Sequence, residues 1–370
     1  MRNVRSCYIH IPFCNNICSY CDFCKIFYNE EIVNKYLDEL EMEITDSYQG
    51  EVLDTIYIGG GTPSSLSIKQ LNRLFEIINK LNKSKDVEFT IECCFDSINY
   101  EKLDIFKKVG INRISFGIES ISKNNLKILD RNIDKNYVID IINYCKKIGI
   151  NNINVDLMYA LKDETLEDLL KDIKFIKSLD IEHISTYSLI IEEHTKLYLA
   201  GYKYIDEDCD SDMYNLICNE LKEYDHYEIS NFSKNENFRS KHNMTYWKNN
   251  EYYGFGLGSS GYEGNIRYSK TRSITKYLKH DYMKDDGLEF LKTKDKVYYE
   301  VILNLRTSDG INLEIFKDKY LHDLDYYYDY SDLLNNGHLV LENDKLFIPK
   351  ELWYISNSII VELLEGEVNG

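Results

Sequence analysis

Four cysteines, Cys14, Cys18, Cys21 and Cys24, fall within eleven positions of the stretch YIHIPFCNNICSYCDFCK, residues 8–25. The first three are spaced C-x3-C-x2-C, and the fourth follows three residues later. Thiolates this crowded can hold metal, and their spacing discriminates between metals. A structural zinc ion takes four ligands, commonly as two separated pairs that pin distant segments, and this loop suits it badly. Three thiolates on one loop suit a [4Fe–4S] cluster better, one iron corner each, with the fourth iron open to an outside ligand. A zinc loop is the competing reading of the loop taken alone.

A second motif bears on that choice. IYIGGGTPSS, residues 56–65, places Gly59, Gly60, Gly61 and Thr62 directly after a strand-like run. Consecutive glycines let backbone approach a ligand closely and present its amides and carbonyls. The spacing is neither the dinucleotide fingerprint nor a P-loop. The other cysteines, Cys7, Cys93, Cys94, Cys145, Cys209 and Cys218, are scattered. In a large intracellular chain, cysteines clustered in one place mean metal or catalysis more often than disulfides.

These motifs need a frame. Strand-like runs occur near residues 4–10, 54–58, 87–92, 113–118, 152–157 and 183–189. Between them apolar residues recur at helical spacing, as in Ile32, Tyr36, Leu40, Ile44 and in Ile68, Leu71, Phe75, Ile78. About six βα units over the first 190 residues predict an α/β fold, either doubly wound or a partial barrel, with chemistry at the C-terminal ends of parallel strands. The cysteine loop, the glycine turn and Glu92 all fall at such ends. Residues 225–270 are aromatic and glycine-rich. Residues 295–365 read as mostly helical, winged-helix-like, with a strand pair near GHLVLENDKLFI.

The chain has 370 residues, 44% hydrophobic and 29% charged, as expected of a soluble globular protein. Its net charge of −18 argues against a nucleic-acid partner, which needs a basic face. It has no apolar run of transmembrane length and no signal-peptide core near the N-terminus, so a cytoplasmic location is expected.

Taken together, the cysteine loop and the GGGTP turn resemble the radical S-adenosylmethionine superfamily. YIHIPFC and GGGTPS are similar to the group that holds oxygen-independent coproporphyrinogen III oxidase and the heme chaperone HemW family. The resemblance spans about residues 5–365 and implies a partial (β/α)6 radical-SAM barrel followed by a mostly helical, winged-helix-like domain. The implied division is a core over 1–235, an aromatic and glycine-rich segment over 236–290, and a helical domain over 291–370. By position, it implies a [4Fe–4S] cluster on Cys14, Cys18 and Cys21. It implies S-adenosylmethionine against Tyr8, Gly60, Gly61, Thr62, Glu92, Glu119, Arg131 and Asp156. Two departures stand out. Glu119 replaces a glutamine usual in the family, and YALKDET, residues 159–165, replaces a Gly-Leu-Pro-Gly-Gln-Thr type segment.

Within the group, the oxidase resembles C-x3-C-x2-C-x-C. Phe23 stands at that last position, and the loop reads CDF as in the chaperone branch. Cys24 does not restore the motif and reads as a buried bystander. The thirteen residues ahead of Cys14 are too few for the lid that precedes the loop in the oxidase. KHNMTYW, residues 241–247, resembles the chaperone branch's H-N-x-x-Y-W stretch, with His242 a candidate haem contact. Where that branch continues with Ala-His-Ser, this chain has Ser259, Ser260 and Gly261. The expected function is therefore haem binding and delivery to a haem-accepting apoprotein, with haem as cargo and a cellular reductant as partner. The alternative is the oxidase itself, or another radical enzyme acting on a tetrapyrrole. Whether the chain is an enzyme stays open at this point.

Overall fold

The structure, a computed structural model, describes residues 4–368. Its described residues divide into two compact units, 4–220 with 251–289, and 221–250 with 290–368.

The first unit is built on six strands: β1 (Ser6–Ile11), β2 (Leu53–Gly60), β3 (Lys83–Cys94), β4 (Arg113–Glu119), β5 (Asn152–Tyr159) and β6 (His183–Ser188). They lie side by side in chain order, each parallel to its neighbours. Helices cross between them: α1 (Glu30–Ser47), α2 (Ile68–Ile78), α3 (Tyr100–Val109), α4 (Lys123–Leu129), α5 (Lys135–Lys147) and α6 (Leu166–Ser178). This is the α/β, partial (β/α)6 barrel that the resemblance implied, one of the two frames the alternation left open. Its helices start where the sequence supplies caps. Asn29, Asn99, Asp134 and Thr165 each accept a first-turn backbone N–H, and Ser67 with Gln70 forms a capping box.

Strand alternation sorts the residues into two faces. Ile9, Ile58, Ile91, Ile114, Phe116, Ile153, Val155 and Ile184 are buried and form the apolar set. The alternate positions are mostly polar. Register sets Tyr8, Tyr57, Thr90, Arg113 and Asn152 abreast on five strands. Two residues further along, Glu92, Ser115, Asn154 and His183 form a second row. Cys94, Gly117, Asp156 and Ser185 form a third, at the C-terminal ends.

A seventh strand, β7 (Tyr253–Phe255), pairs in parallel with the free edge of β1. Sequence periodicity did not reveal it. Three residues containing a glycine make no pattern, and the strand exists because an edge templates it. An antiparallel pair follows, Ser260–Glu263 with Ile266–Lys270, flanked by Met283–Phe290.

The second unit is mostly helical. It holds helices Lys241–Trp247, Thr293–Asn304, Leu313–Tyr320 and Ser356–Glu365, and a small sheet whose Val340–Glu342 and Lys345–Phe347 are the expected strand pair. Trp353 anchors it, fully buried, with its indole N–H donating to the Ile348 carbonyl at 3.0 Å. Among the described residues, no helix is long and apolar enough to cross a membrane.

Candidate functional site

The cysteine loop leaves β1 and returns to α1 as a lasso. Phe13–Cys14 pairs with Ile26–Phe27, and the Ile26 N–H donates to the Pro12 carbonyl at 2.7 Å, so the two ends are tied together. The loop is pinned elsewhere too. The Ser19 hydroxyl donates to the Ile128 carbonyl at 2.5 Å, and the Asn16 amide donates to that of Asp130 at 2.9 Å, both at the end of α4. Cys14 is buried, while Cys18 and Cys21 are partly exposed. Burial pushes the Cys14 thiol up to about 12 and that of Cys18 to about 11.

The glycine turn closes on this loop from behind. Gly61 N–H donates to the Ile11 carbonyl, and Thr62 N–H to that of Phe13, both at 2.9 Å. A Cβ on Gly61 would meet the Pro12 backbone at 2.8 Å and Cys14 Sγ at 2.9 Å. Gly60, at φ +121°, has the His10 ring 2.6 Å from where its Cβ would stand. Only glycine allows so close an approach. Thr62 then places its hydroxyl 3.5 Å from Cys14 Sγ.

Across the mouth, Arg131 follows α4 and is nearly buried. Its guanidinium donates to Glu119 Oε2 at 2.7 Å, to the Gly117 carbonyl at 2.6 Å and to Cys18 Sγ at 3.6 Å. Glu119 reaches this position through a bulge in β4 and a φ of +58°, and it also accepts from the Tyr20 hydroxyl at 3.0 Å. Burial raises the Glu119 carboxyl above its ordinary range, against the pull of Arg131. Two further carboxylates face inward. Glu92 accepts from the Tyr57 hydroxyl at 2.8 Å and from Gly60 N–H at 2.9 Å, and burial lifts it to about 7. Asp156 accepts from the Asn154 amide at 2.8 Å, and burial lifts it to about 6. Tyr8 stacks on Tyr57 at 6.0 Å and hydrogen-bonds His10 Nδ1 at 3.0 Å. Burial lowers His10 to about 4. The ring is therefore neutral, with Nε2–H donating to the Cys24 carbonyl at 2.6 Å and Nδ1 accepting from Tyr8.

The structure thus gathers Cys14, Cys18, Gly60, Gly61, Thr62, Glu92, Glu119, Arg131 and Asp156 at one end of the sheet, with Cys21 on the same loop and Tyr8 on β1. His242 is elsewhere. It sits in the second unit on helix Lys241–Trp247, buried, with Nε2 2.7 Å from the Tyr246 hydroxyl. Sequence reasoning missed His10, Tyr20, Tyr57 and Cys94. Alternation along β3 could have revealed Cys94, which shares a face with Glu92. Arg131 donates to its sulfur at 3.4 Å, and it lines, with Cys18, Thr62 and Arg131, a cavity of about 210 Å³.

Chemically, this donor set is soft thiolate supplied by one loop, which suits iron–sulfur more than a hard cation. Among the described residues, no three His, Cys, Asp or Glu side chains converge as a single ion requires. The thiols are spread along a tied loop, with hydrogen-bond donors on two of them, as a polynuclear group needs.

Comparison with known proteins agrees with this architecture. Residues 8–176 match the model of the radical SAM superfamily. The chain is 35% identical to the heme chaperone HemW of Lactococcus lactis over 100% of both chains. It is 38% identical to that of Bacillus subtilis over 87% of this chain and 88% of the relative. The coproporphyrinogen III oxidase (HemN) of Escherichia coli, a radical SAM enzyme, superposes with a TM-score of 0.84 at 19% identity, over 97% of this chain and 89% of the other.

Proposed function

The chain belongs to the heme chaperone HemW family of radical SAM proteins, and on that premise we propose that it binds haem and delivers it to haem-accepting apoproteins. Membership of the superfamily implies a [4Fe–4S] cluster and S-adenosylmethionine. The observation that carries the reading is full-length similarity to a heme chaperone in a chain that keeps an intact cluster loop backed by its glycine turn.

On this reading Cys14, Cys18 and Cys21 hold the cluster. When bound, it supplies an electron that can cleave the sulfonium of S-adenosylmethionine. The rest is work for this chain's side chains. Thr62 and Arg131 donate to the sulfurs of Cys14 and Cys18 and so temper their negative charge. Gly60 and Gly61 bring backbone to the ligand's amino group, and Arg131 offers a cation to its carboxylate. Asp156 and Glu92, both inward-facing acceptors, suit ribose hydroxyls and the amino group. Tyr8, held by its hydrogen bond to His10, would lie against the sulfonium. His242 could offer Nε2 to haem iron only once Tyr246 releases it.

The test is anaerobic reconstitution followed by haem titration and transfer to an apoprotein, with coproporphyrinogen III offered separately. Saturable haem binding and transfer, with coproporphyrinogen III unchanged, is expected. Loss of two of its carboxyl groups together with formation of 5′-deoxyadenosine would replace the chaperone reading with the oxidase. In the same preparation Cys18→Ala is expected to reduce bound iron and sulfide to background.

A further inference from the structure

A fourth thiol stands at the mouth of the barrel, supplied by a strand rather than by the loop. Building on the assignment of the cluster to Cys14, Cys18 and Cys21, we propose that Cys94 ligates the cluster's open corner while S-adenosylmethionine is absent and yields that corner when it binds.

The argument starts from alternation. Cys93 and Cys94 are adjacent at the end of β3, so they face opposite ways. Cys93 is buried in the apolar set at 3% exposure, and Cys94 shares the inward face with Glu92. There it shares a hydrogen-bonding partner with each of two loop thiols. The Thr62 hydroxyl lies 3.5 Å from Cys14 Sγ and 3.9 Å from Cys94 Sγ. Arg131 Nη1 lies 3.6 Å from Cys18 Sγ and 3.4 Å from Cys94 Sγ. The three sulfurs are therefore joined through one hydroxyl and one guanidinium, and Cys18 and Cys94 line a cavity of about 210 Å³. That is several times the roughly 30 Å³ a water molecule occupies in the liquid.

The chemistry follows from the residue types. Thiolate is the ligand iron–sulfur clusters prefer, and bonding to iron supplies it here, since burial by itself favours the Cys94 thiol against the pull of Arg131. As the iron–sulfur bond forms, the thiol proton leaves to solvent. When the amino and carboxylate groups of S-adenosylmethionine take the corner, that bond breaks and the sulfur regains a proton. No electron moves in either direction. Cys24, also near the loop, is not placed for this role. Its sulfur lies 3.9 Å from the Arg272 carbonyl and against Gly258.

The test uses the full chain, reconstituted anaerobically and freed of S-adenosylmethionine, with ferricyanide as oxidant. An open corner loses its iron and leaves a [3Fe–4S] signal in electron paramagnetic resonance, whereas a ligated corner resists. The wild type and Cys24→Ala are expected to resist, and Cys94→Ala to convert several-fold further. Cys94→Ala is also expected to bind S-adenosylmethionine several-fold more tightly, because nothing competes for the corner. With S-adenosylmethionine present the three proteins should converge. Ready loss of the corner iron from the wild type, or identical conversion and affinity in Cys94→Ala, overturns the proposal. Cys94→Ser serves if the alanine variant does not hold its cluster, and the wild-type result decides by itself. A wild type that assembles no iron or sulfide at all would instead remove the cluster assignment beneath it.

Discussion

Two carboxylates of the first unit show how differently a buried acid can be employed. Glu43, on α1, has no exposed surface, and a buried cation compensates its charge. Lys270 pairs with one oxygen at 2.9 Å, while Tyr277 and Gly256 N–H donate to the other at 2.6 and 2.8 Å. Glu92, at the end of β3, is only partly buried. It has two neutral donors, Tyr57 and Gly60, and among the described residues no cation pairs with it. The first arrangement is closed and ties the segment around 256–277 to α1. The second holds its acid by neutral donors, facing the barrel interior. Of this pair, the structural acid is neutralised by a cation in place, and the one facing the site is held by neutral donors.

The largest effect that can break this comparison is at Lys270. Replacing it by methionine strands a buried carboxylate, and loss of one partner of a buried pair costs roughly 3–5 kcal/mol. Urea denaturation of Lys270→Met should fall short of the wild type by about 3 kcal/mol, with bound cluster iron unchanged in the fraction that remains folded. A cost near zero would mean that Glu43 is not the closed site described.

Glu92 should behave in the opposite way. Its carboxyl sits at about 7 in the folded protein against an ordinary 4.5, so the folded state holds its proton more tightly than the unfolded. That contribution to stability is complete below about pH 4.5 and is lost as pH rises through about 7. Glu92→Gln removes it. The variant's stability relative to wild type should therefore improve between pH 5 and pH 8, by about 1–2 kcal/mol once water screening at a partly exposed group is allowed for. A difference independent of pH would show that Glu92 is ionised throughout and compensated by some other group.

The same contrast marks what sequence could reveal. The six parallel strands were legible because Ile, Val and Phe alternate with polar residues, and the loop and glycine turn because their spacing is local. Glu119 and Arg131 were legible through resemblance, but the bulge and left-handed backbone that turn Glu119 onto Arg131 were not. Neither was Glu43, an ordinary helix glutamate until Lys270, far along the chain, is folded onto it. Cys94 could be told from adjacent Cys93 only by extending the strand's alternation past Glu92, which puts the two on opposite faces. β7 was hidden because its conformation comes from the edge it pairs with.

Cys24 gives the smallest effect and the sharpest question about the loop, since it lies among the cluster cysteines yet packs like Glu43's neighbourhood. It is 8% exposed, and its Cβ stands 2.4 Å from where a Cβ of Gly258 would be, so the 258 backbone rests directly on it. His10 reads its carbonyl, and Arg272 pairs with neighbouring Asp22. These contacts hold the end of the loop through the Cys24 backbone and its small volume rather than through sulfur chemistry. Cys24→Ala removes one buried sulfur and should cost about 1 kcal/mol, at the mild end of large-to-small core changes. Cluster iron, haem binding and the reduced cluster's spectrum should stay at wild-type values. If the alanine variant lost cluster iron while its urea midpoint held, the fourth cysteine would belong with the other three. The line between packing and chemistry in this loop would then have to be drawn after Cys24 instead of before it.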